Sequence, residues 1–174
     1  ATTFEIVIQL GAILAVVWEY RRHLLAVAAG IAGLPSSESK GASRGLAVNL
    51  AIAFLPAAVA GFLLHDLIER HLFGPLTVCG ALIVGGFAML AIERMTPRPA
   101  FVSLMAIPRM RALAVGCAQV LALFPGVSRA AATIMGGMIA GLDRRTATEF
   151  SFYLAMPTML AATAYDLLKS FGAL

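Results

Sequence analysis

Long apolar stretches separated by short polar segments dominate this sequence. The apolar stretches cover residues 4–18, with a continuation towards 25, and residues 46–64, 75–92 and 150–168. As α-helices, stretches of about 20 apolar residues are long enough to cross the hydrocarbon core of a bilayer. The pattern therefore predicts a bundle of membrane-spanning helices joined by polar loops.

Two shorter apolar runs, residues 112–124 and 130–142, do not fit that pattern. As helices they would each rise only about 20 Å, against a hydrocarbon core of roughly 30 Å. Pro125 and Gly126 lie between them and favour a chain reversal. We therefore predict that residues 112–142 form a re-entrant helical hairpin with its tip near mid-membrane depth, where irregular backbone must be buried in protein or line a wet cavity.

The distribution of basic residues gives modest support to the hairpin. Lys and Arg are concentrated in the predicted loops 19–45 and 93–111, and in the polar connection 143–149. Basic loops are retained on the cytoplasmic side of membranes. A re-entrant hairpin keeps all three segments on one side, whereas two spanning limbs would place the last segment opposite the other two.

A faint internal repeat extends this topology. Residues 4–15 can be laid over residues 150–161, and the two helices would run in opposite directions. Opposed directions are the signature of an inverted-topology repeat. If the repeat is real, a second hairpin precedes residue 1. The chain also opens on an apolar helix without a preceding basic segment and ends directly after one, so we expect an internal fragment.

Composition places the chain among integral membrane proteins. Hydrophobic residues make up 60% and charged residues 13% of the sequence, and the mean hydropathy is +0.90, whereas soluble domains average roughly 45–50% and about 25%. The net charge of +4 comes from residues between apolar segments, so topology explains it and nucleic-acid binding is excluded. The predicted class is an all-α, polytopic membrane bundle that forms one domain over residues 1–174.

The glycines of the apolar stretches are interpreted as packing positions. Small residues allow helix backbones to approach each other closely in lipid. We expect this of three glycines in the stretch 75–92 and of three in the second hairpin limb: Gly80, Gly85 and Gly86, and Gly136, Gly137 and Gly141.

The predicted hairpin tip carries the chemistry. Arg129 lies within apolar sequence, and an arginine at the bilayer centre costs several kcal/mol on most estimates, so it needs a partner. Ser128 is a candidate N-cap for the following helix, whose first N–H groups attract anions. Thr133 adds a hydroxyl, and Gly126 lets backbone approach a ligand. Since a guanidinium binds phosphate in bidentate fashion, the tip is predicted to be a phosphate site.

At these residues the chain resembles the bacterial undecaprenyl-diphosphate phosphatases, also called bacitracin-resistance proteins. The resemblance is carried by residues 4–17, by Gly116-Cys117-Ala118-Gln119 continuing into Leu123-Phe124-Pro125-Gly126-Val127-Ser128-Arg129, and by Glu149-Phe150-Ser151-Phe152. The family's second motif, Pro-Gly-x-Ser-Arg-Ser-x-x-Thr, matches at Ser128, Arg129 and Thr133. Ala130 stands where that motif has serine, and Ala131 occupies a position that is often glycine, so the third hydroxyl of the motif is absent from this chain.

The resemblance implies hydrolysis of undecaprenyl diphosphate to undecaprenyl phosphate, which recycles the lipid carrier of cell-wall synthesis. It implies a catalytic set of Ser128, Arg129 and Thr133 and a substrate-binding set of Gly126, Ser128, Arg129 and Ala130, with no metal ligand in this chain. A divalent cation, Mg²⁺ or Ca²⁺, would be held by carboxylates of a first motif upstream of Thr3. We therefore expect this fragment alone to have little or no activity.

The resemblance also implies a setting and partners. The protein would be a multi-pass component of the bacterial inner membrane with two inverted repeats, and its active site would open to the periplasmic side. Its partners would be the polyprenyl diphosphate substrate and membrane lipid, and a homo-oligomer is left open.

Two other functions remain open on the residues alone. Inverted repeats with broken helices and a midplane arginine are equally typical of a transporter or flippase for lipid phosphates or small anions. In a membrane scaffold, Arg129 would only pair with a carboxylate from elsewhere in the fold.

Overall fold

The computed structural model describes residues 40–72, 74–95 and 99–171, together with isolated helical positions between 8 and 25. Five α-helices follow one another in this part of the chain: α1 (Lys40–His71), α2 (Pro75–Met95), α3 (Arg109–Val120), α4 (Arg129–Ile139) and α5 (Arg144–Phe171). Short 3₁₀ turns occupy Leu104–Ala106 and Leu121–Leu123. The described residues contain no strand, which confirms the all-helical class.

Helices α1 and α2 are long and apolar enough to cross a membrane. The segments Arg44–Leu64 and Pro75–Met95 have mean hydropathies of 2.2 and 2.1. Many apolar side chains of α2 are exposed, and none of its residues is buried. A helix with an apolar surface of this kind suits lipid or further helices rather than water.

The polar flanks of α1 are helical, so its predicted limits at 46 and 64 are wrong. The helix begins at Lys40 and continues through the predicted connection to His71. Lysine and glutamate are good helix formers, and nothing forces a helix to end where it leaves the hydrocarbon. Polarity in this sequence therefore marks the edge of the apolar segment and not the end of the helix.

The two hairpin limbs are short, as predicted. Helix α3 has 12 residues and α4 has 11, which correspond to about 18 Å and 16 Å of rise. The two helices pack against each other, and α4 also packs against α2. The limits of the two helices differ by up to four residues from the predicted limits 112–124 and 130–142.

Gly141 explains why the second limb ends early. It follows the C-cap Ala140 with φ +90°, a conformation that L side chains rarely adopt. The amide of Leu142 donates to the carbonyl of Gly137 at 3.0 Å, and that of Gly141 to Met138 at 2.9 Å. These are the two hydrogen bonds of a Schellman motif. Gly141 thus ends the helix, and its predicted role as a packing position is wrong.

Asp143 starts α5 at the position where a polar connection was predicted. Its Oδ1 accepts from the amide of Thr146 at 3.2 Å, and its carbonyl accepts from Ala147 at 2.9 Å. An aspartate in this position satisfies a first-turn amide that has no acceptor within the helix. The predicted polar connection 143–149 therefore consists of Asp143 and the first six residues of a helix that continues to Phe171.

The two ends of the α3–α4 pair are held together. Phe101, before α3, receives and donates backbone hydrogen bonds across the connection after α4: its amide donates to Gly141 at 3.1 Å and its carbonyl accepts from Asp143 at 3.0 Å. Close by in sequence, Arg144 Nη1 contacts Glu93 Oε1 at 2.5 Å. The end of α2, the segment before α3 and the start of α5 therefore lie close together, at the end of the α3–α4 pair opposite the tip.

Small residues bring α1, α3, α4 and the start of α5 into close contact. A Cβ built on Gly116 of α3 would clash with the backbone of Ala53 in α1, and one on Gly136 would clash with Ala118 of α3. One on Gly137 would lie 2.9 Å from the Cβ of Ala147. The packing role predicted for Gly136 and Gly137 is confirmed.

The glycines of α2 do not share this role. A Cβ built on Gly80, Gly85 or Gly86 meets no described atom within 4 Å. Small residues in a membrane helix can leave space as well as fill it, and the packing predicted for these three glycines has no partner among the described residues.

The described residues divide into two compact units, Gly45–Ser151 and the combination of Ala1–Arg44 with Phe152–Leu174. In the second, the Arg21 guanidinium lies 4.3 Å from the ring centre of Trp18 and donates to its carbonyl. Thr158, next to Pro157 in α5, donates to the carbonyl of Leu154 at 2.7 Å. The predicted polar pair Glu5 and Gln9 lies outside the described residues.

Candidate functional site at the hairpin tip

The tip is a tight reversal between α3 and α4. After the 3₁₀ turn, the amide of Val127 donates to the carbonyl of Phe124 at 3.1 Å and closes a turn around Pro125 and Gly126. Gly126 has φ +91°, which a side chain would oppose. The chain then enters α4, with Ser128 just before the helix and Arg129 as its first residue.

Gly126 is also where the tip touches α2. A Cβ built on it would lie 2.7 Å from the carbonyl oxygen of Val78 and 3.1 Å from the Cβ of Ala81. The absence of a side chain therefore allows close packing on α2, in addition to the predicted approach of backbone to a ligand.

Ser128 is the N-cap of α4, as predicted. Its Oγ accepts from the amide of Ala131 at 3.3 Å, and its carbonyl accepts from Ala132 at 2.9 Å. A hydroxyl that accepts one hydrogen bond keeps its own O–H for donation. The first-turn amide of Ala130 has no acceptor within the helix because of its position. Ser128 and Ala130 are exposed, so these donors lie at an accessible helix start.

Arg129 is the first residue of α4 and is half-buried. The helix start provides a partial positive charge and the guanidinium a full one. This combination disfavours a cation and favours an anion, and the planar fork of arginine matches the oxygens of a phosphate.

Thr133 lies one turn into α4 and is turned into the protein. It is 1% exposed, and its Oγ1 lies 2.5 Å from the Oγ of Ser151 in α5 and donates to the carbonyl of Arg129 at 2.9 Å. With its hydroxyl hydrogen on that carbonyl, it accepts from Ser151. In this arrangement Thr133 joins α4 to α5, while Ser128 and Arg129 remain at the tip.

We expect Thr133→Val to destabilise the protein by about 1–3 kcal/mol, because it leaves the buried hydroxyl of Ser151 without its partner. Thermal unfolding in detergent measures this loss, and Thr133→Ser, which keeps the hydroxyl, should unfold close to wild type. An unchanged melting temperature for Thr133→Val, with a lower kcat, would instead indicate that Thr133 contacts the substrate.

Two polar residues that sequence reasoning missed hold the hairpin in place. One is Ser151, which is hydrogen-bonded to Thr133. The other is Asn49 of α1, which is 5% exposed and whose Nδ2 donates to the carbonyl of Ile107 at 2.7 Å. An amide side chain inside an apolar stretch that could span a membrane must satisfy its donors within the protein. That rule singles out Asn49 in the sequence, since it lies alone within 46–64.

The tip residues do not fit a divalent cation. Their polar groups are a guanidinium, backbone N–H groups and a hydroxyl, whereas Mg²⁺ and Ca²⁺ require oxygen ligands, commonly carboxylates. Among the described residues, no three His, Cys, Asp or Glu side chains lie close enough to hold a metal ion.

Fold and site together define a helical membrane protein with a broken helix pair whose tip presents an arginine at a helix start. The comparison with protein families is consistent with this class. Residues 1–173 match the family model described as bacitracin resistance protein BacA. The chain belongs to this family.

Curated relatives are identical to this chain at about half of the aligned residues. A protein of Methylobacillus flagellatus is 55% identical over 97% of this chain and 62% of its own length. Proteins of Pseudomonas fluorescens and Neisseria meningitidis are each 51% identical, over 95% and 97% of this chain and over 58% and 60% of their own lengths. All three are named undecaprenyl-diphosphatase. The chain thus spans about three fifths of the length of these relatives.

Proposed function

We propose that this chain is part of a membrane phosphatase that hydrolyses undecaprenyl diphosphate to undecaprenyl phosphate and inorganic phosphate. The observation that carries the proposal is the tip, where Ser128 caps α4 through Ala131 and Arg129 opens the helix. The names of the curated relatives support the substrate.

The tip residues would bind and neutralise the diphosphate. In the reaction, a water oxygen forms a bond to the terminal phosphorus, the bridging P–O bond breaks, and the electron pair leaves with undecaprenyl phosphate. Charge on the phosphoryl oxygens must be stabilised in this transition state. Arg129 is assigned to that charge, and the Ser128 hydroxyl and the Ala130 amide are assigned as further donors.

Thr133 is assigned a supporting role. Its contacts with Ser151 and with the carbonyl of Arg129 fix the first turn of α4 against α5. Small displacements of the groups that position a substrate can lower the rate strongly. This link would therefore keep Arg129 and Ser128 at the positions where they bind the phosphate.

A divalent cation, Mg²⁺ or Ca²⁺, would be held by carboxylates outside the tip. When bound, such an ion would help to neutralise the phosphate charge. Those carboxylates, and the group that activates water, are proposed to come from a second hairpin that is related to this one by inverted repetition and lies upstream of Thr3.

The α3–α4 pair is proposed to be re-entrant. Three contacts support this: Phe101 bonds to Gly141 and to Asp143, and Glu93 pairs with Arg144, so the pair enters and leaves at the level where α2 ends. The tip contacts α2 at Val78, which is about 22 Å along the helix from Glu93. With the basic loops on the cytoplasmic side of the bacterial inner membrane, the tip would lie beyond the midplane and open towards the periplasm.

Labelling should place both ends of the hairpin on one side of the membrane. In full-length protein with Cys79 and Cys117 replaced by alanine, Arg111→Cys and Arg145→Cys should both react with an impermeant maleimide from the cytoplasmic side. Leu72→Cys, between α1 and α2, should react from the opposite side. Labelling of Arg111→Cys and Arg145→Cys from opposite sides would mean that α3 and α4 do not form a re-entrant pair.

Phosphate release tests the proposed activity. The full-length protein, purified in detergent with Mg²⁺ or Ca²⁺, is expected to release inorganic phosphate from undecaprenyl diphosphate, and chelation should suppress the release. Transport of a lipid phosphate across vesicles without phosphate release would contradict the phosphatase and favour a transporter.

A further inference from the structure

A groove of about 620 Å³ runs between α2 and the hairpin. At one end it is lined by Thr77, Gly80 and Ser128, next to the tip, and at the other by Met89, Ile92 and Ile139. Helices α2 and α4 run in the same direction along it. From Thr77 to Ile92 the groove follows α2 for about 22 Å at 1.5 Å per residue.

The groove is polar only at the tip. Its lining side chains are apolar or absent apart from Thr77 and Ser128. Pockets of this kind bind an apolar body through their walls and orient it by a few polar groups. A ligand that matches it has an anionic head at Ser128 and a long hydrocarbon chain. Arg129 follows Ser128 in sequence, next to this end of the groove, and is not part of its lining.

The glycines of α2 form the floor of the groove. Gly80, Gly85 and Gly86 all line it, and a Cβ added to any of them would enter open space. Side chains of ordinary size at these positions would occupy the groove without disturbing a helix contact among the described residues.

We propose that this groove, the α2 groove, binds the prenyl chain of the lipid diphosphate, with the chain running from Ser128 towards Ile92. The inference rests on the proposed function and adds a binding site for the prenyl chain of the substrate. Two features of the groove support this occupant: Gly126 and Ser128 of the predicted phosphate site line its polar end, and its apolar part is continuous with that end. Successive lining residues of α2 would then contact successive parts of the prenyl chain.

Bulky substitutions along the groove provide the test. In the full-length protein, Gly80→Leu lies near the tip and Ala88→Leu about 12 Å further along α2. The substrates are undecaprenyl diphosphate and geranyl diphosphate, whose short chain ends before Ala88. Ala91→Leu is the matched control, because Ala91 is exposed on α2 and does not line the groove.

The expected result is a dependence on chain length. Ala88→Leu should lower kcat/KM for undecaprenyl diphosphate by about tenfold, mainly through KM, and leave geranyl diphosphate unchanged. Gly80→Leu should lower kcat/KM for both substrates, and Ala91→Leu for neither.

Equal losses for both substrates in Ala88→Leu, or no loss for either, would overturn the proposal. Equal losses with a lower melting temperature would indicate that a segment of the protein outside this chain occupies the groove. The proposed function fails separately, if the wild-type protein releases no phosphate from either substrate.

Discussion

Replacing Arg129 by alanine is expected to lower kcat/KM for undecaprenyl diphosphate by about 10²–10³-fold in the full-length protein, the range observed when a donor to transition-state charge is removed. Arg129 is the first residue of α4 and lies beside the N-cap Ser128, where the helix start and the guanidinium would both attract the proposed phosphate. Phosphate release at saturating and limiting substrate measures the loss.

Arg129→Lys separates charge from geometry. Lysine keeps the positive charge but binds phosphate as a point charge and not in bidentate fashion. We expect its kcat/KM to fall between those of wild type and Arg129→Ala. Unfolding temperatures near wild type for both variants would exclude loss of structure as the cause. Near-wild-type activity of Arg129→Ala would remove Arg129 from the site.

Gly126→Ala is expected to have the second largest effect. Alanine at φ +91° costs about 1–2 kcal/mol, and its Cβ would lie 2.7 Å from the carbonyl oxygen of Val78. The tip would therefore have to move away from α2 and carry Ser128 and Arg129 with it. Because a displacement of about 1 Å can cost on the order of 10² in rate, we expect a loss of that order in kcat, with a lower melting temperature.

Gly141→Ala is the matched control for Gly126→Ala. Gly141 has nearly the same φ, +90°, but a Cβ added to it would meet its neighbours at 3.8 Å or more. The backbone strain is thus shared, and only Gly126→Ala adds the clash with α2. Similar melting temperatures and similar kcat values for the two variants would show that the contact of the tip with Val78 has no role.

The pair of short helices was predictable because its signal in the sequence is simple. Residues 112–124 and 130–142 are too short to span the hydrocarbon, and Pro125-Gly126 breaks helix between them. The local role of Ser128 followed from its position before an apolar helical run, and the structure confirms it as the N-cap. These features depend on the length of an apolar run and on residues adjacent in sequence, and both can be read from the sequence alone.

The helix ends were not predicted because polarity was used to locate them. Helix α1 continues six residues or more beyond each predicted limit, while Gly141 and Asp143 set the end of α4 and the start of α5 through backbone hydrogen bonds. The last two have recognisable sequence signals, a glycine followed by leucine and an aspartate three residues before threonine, which capping rules would have found.

Long-range partners could not be obtained from one sequence. The direction of the Thr133 hydroxyl depends on Ser151 in another helix, and the openness of Gly80, Gly85 and Gly86 depends on what α2 packs against. The same residue type therefore serves contact at Gly136 and space at Gly85, and only three-dimensional placement separates the two.

The most direct test of the central claim is a structure of the full-length protein with a non-hydrolysable methylene analogue of a polyprenyl diphosphate. We predict phosphonate oxygens within hydrogen-bonding distance of the Arg129 guanidinium and of Ser128 or the Ala130 amide. A diphosphonate bound elsewhere, with no contact to the tip between Gly126 and Ala130, would contradict the account.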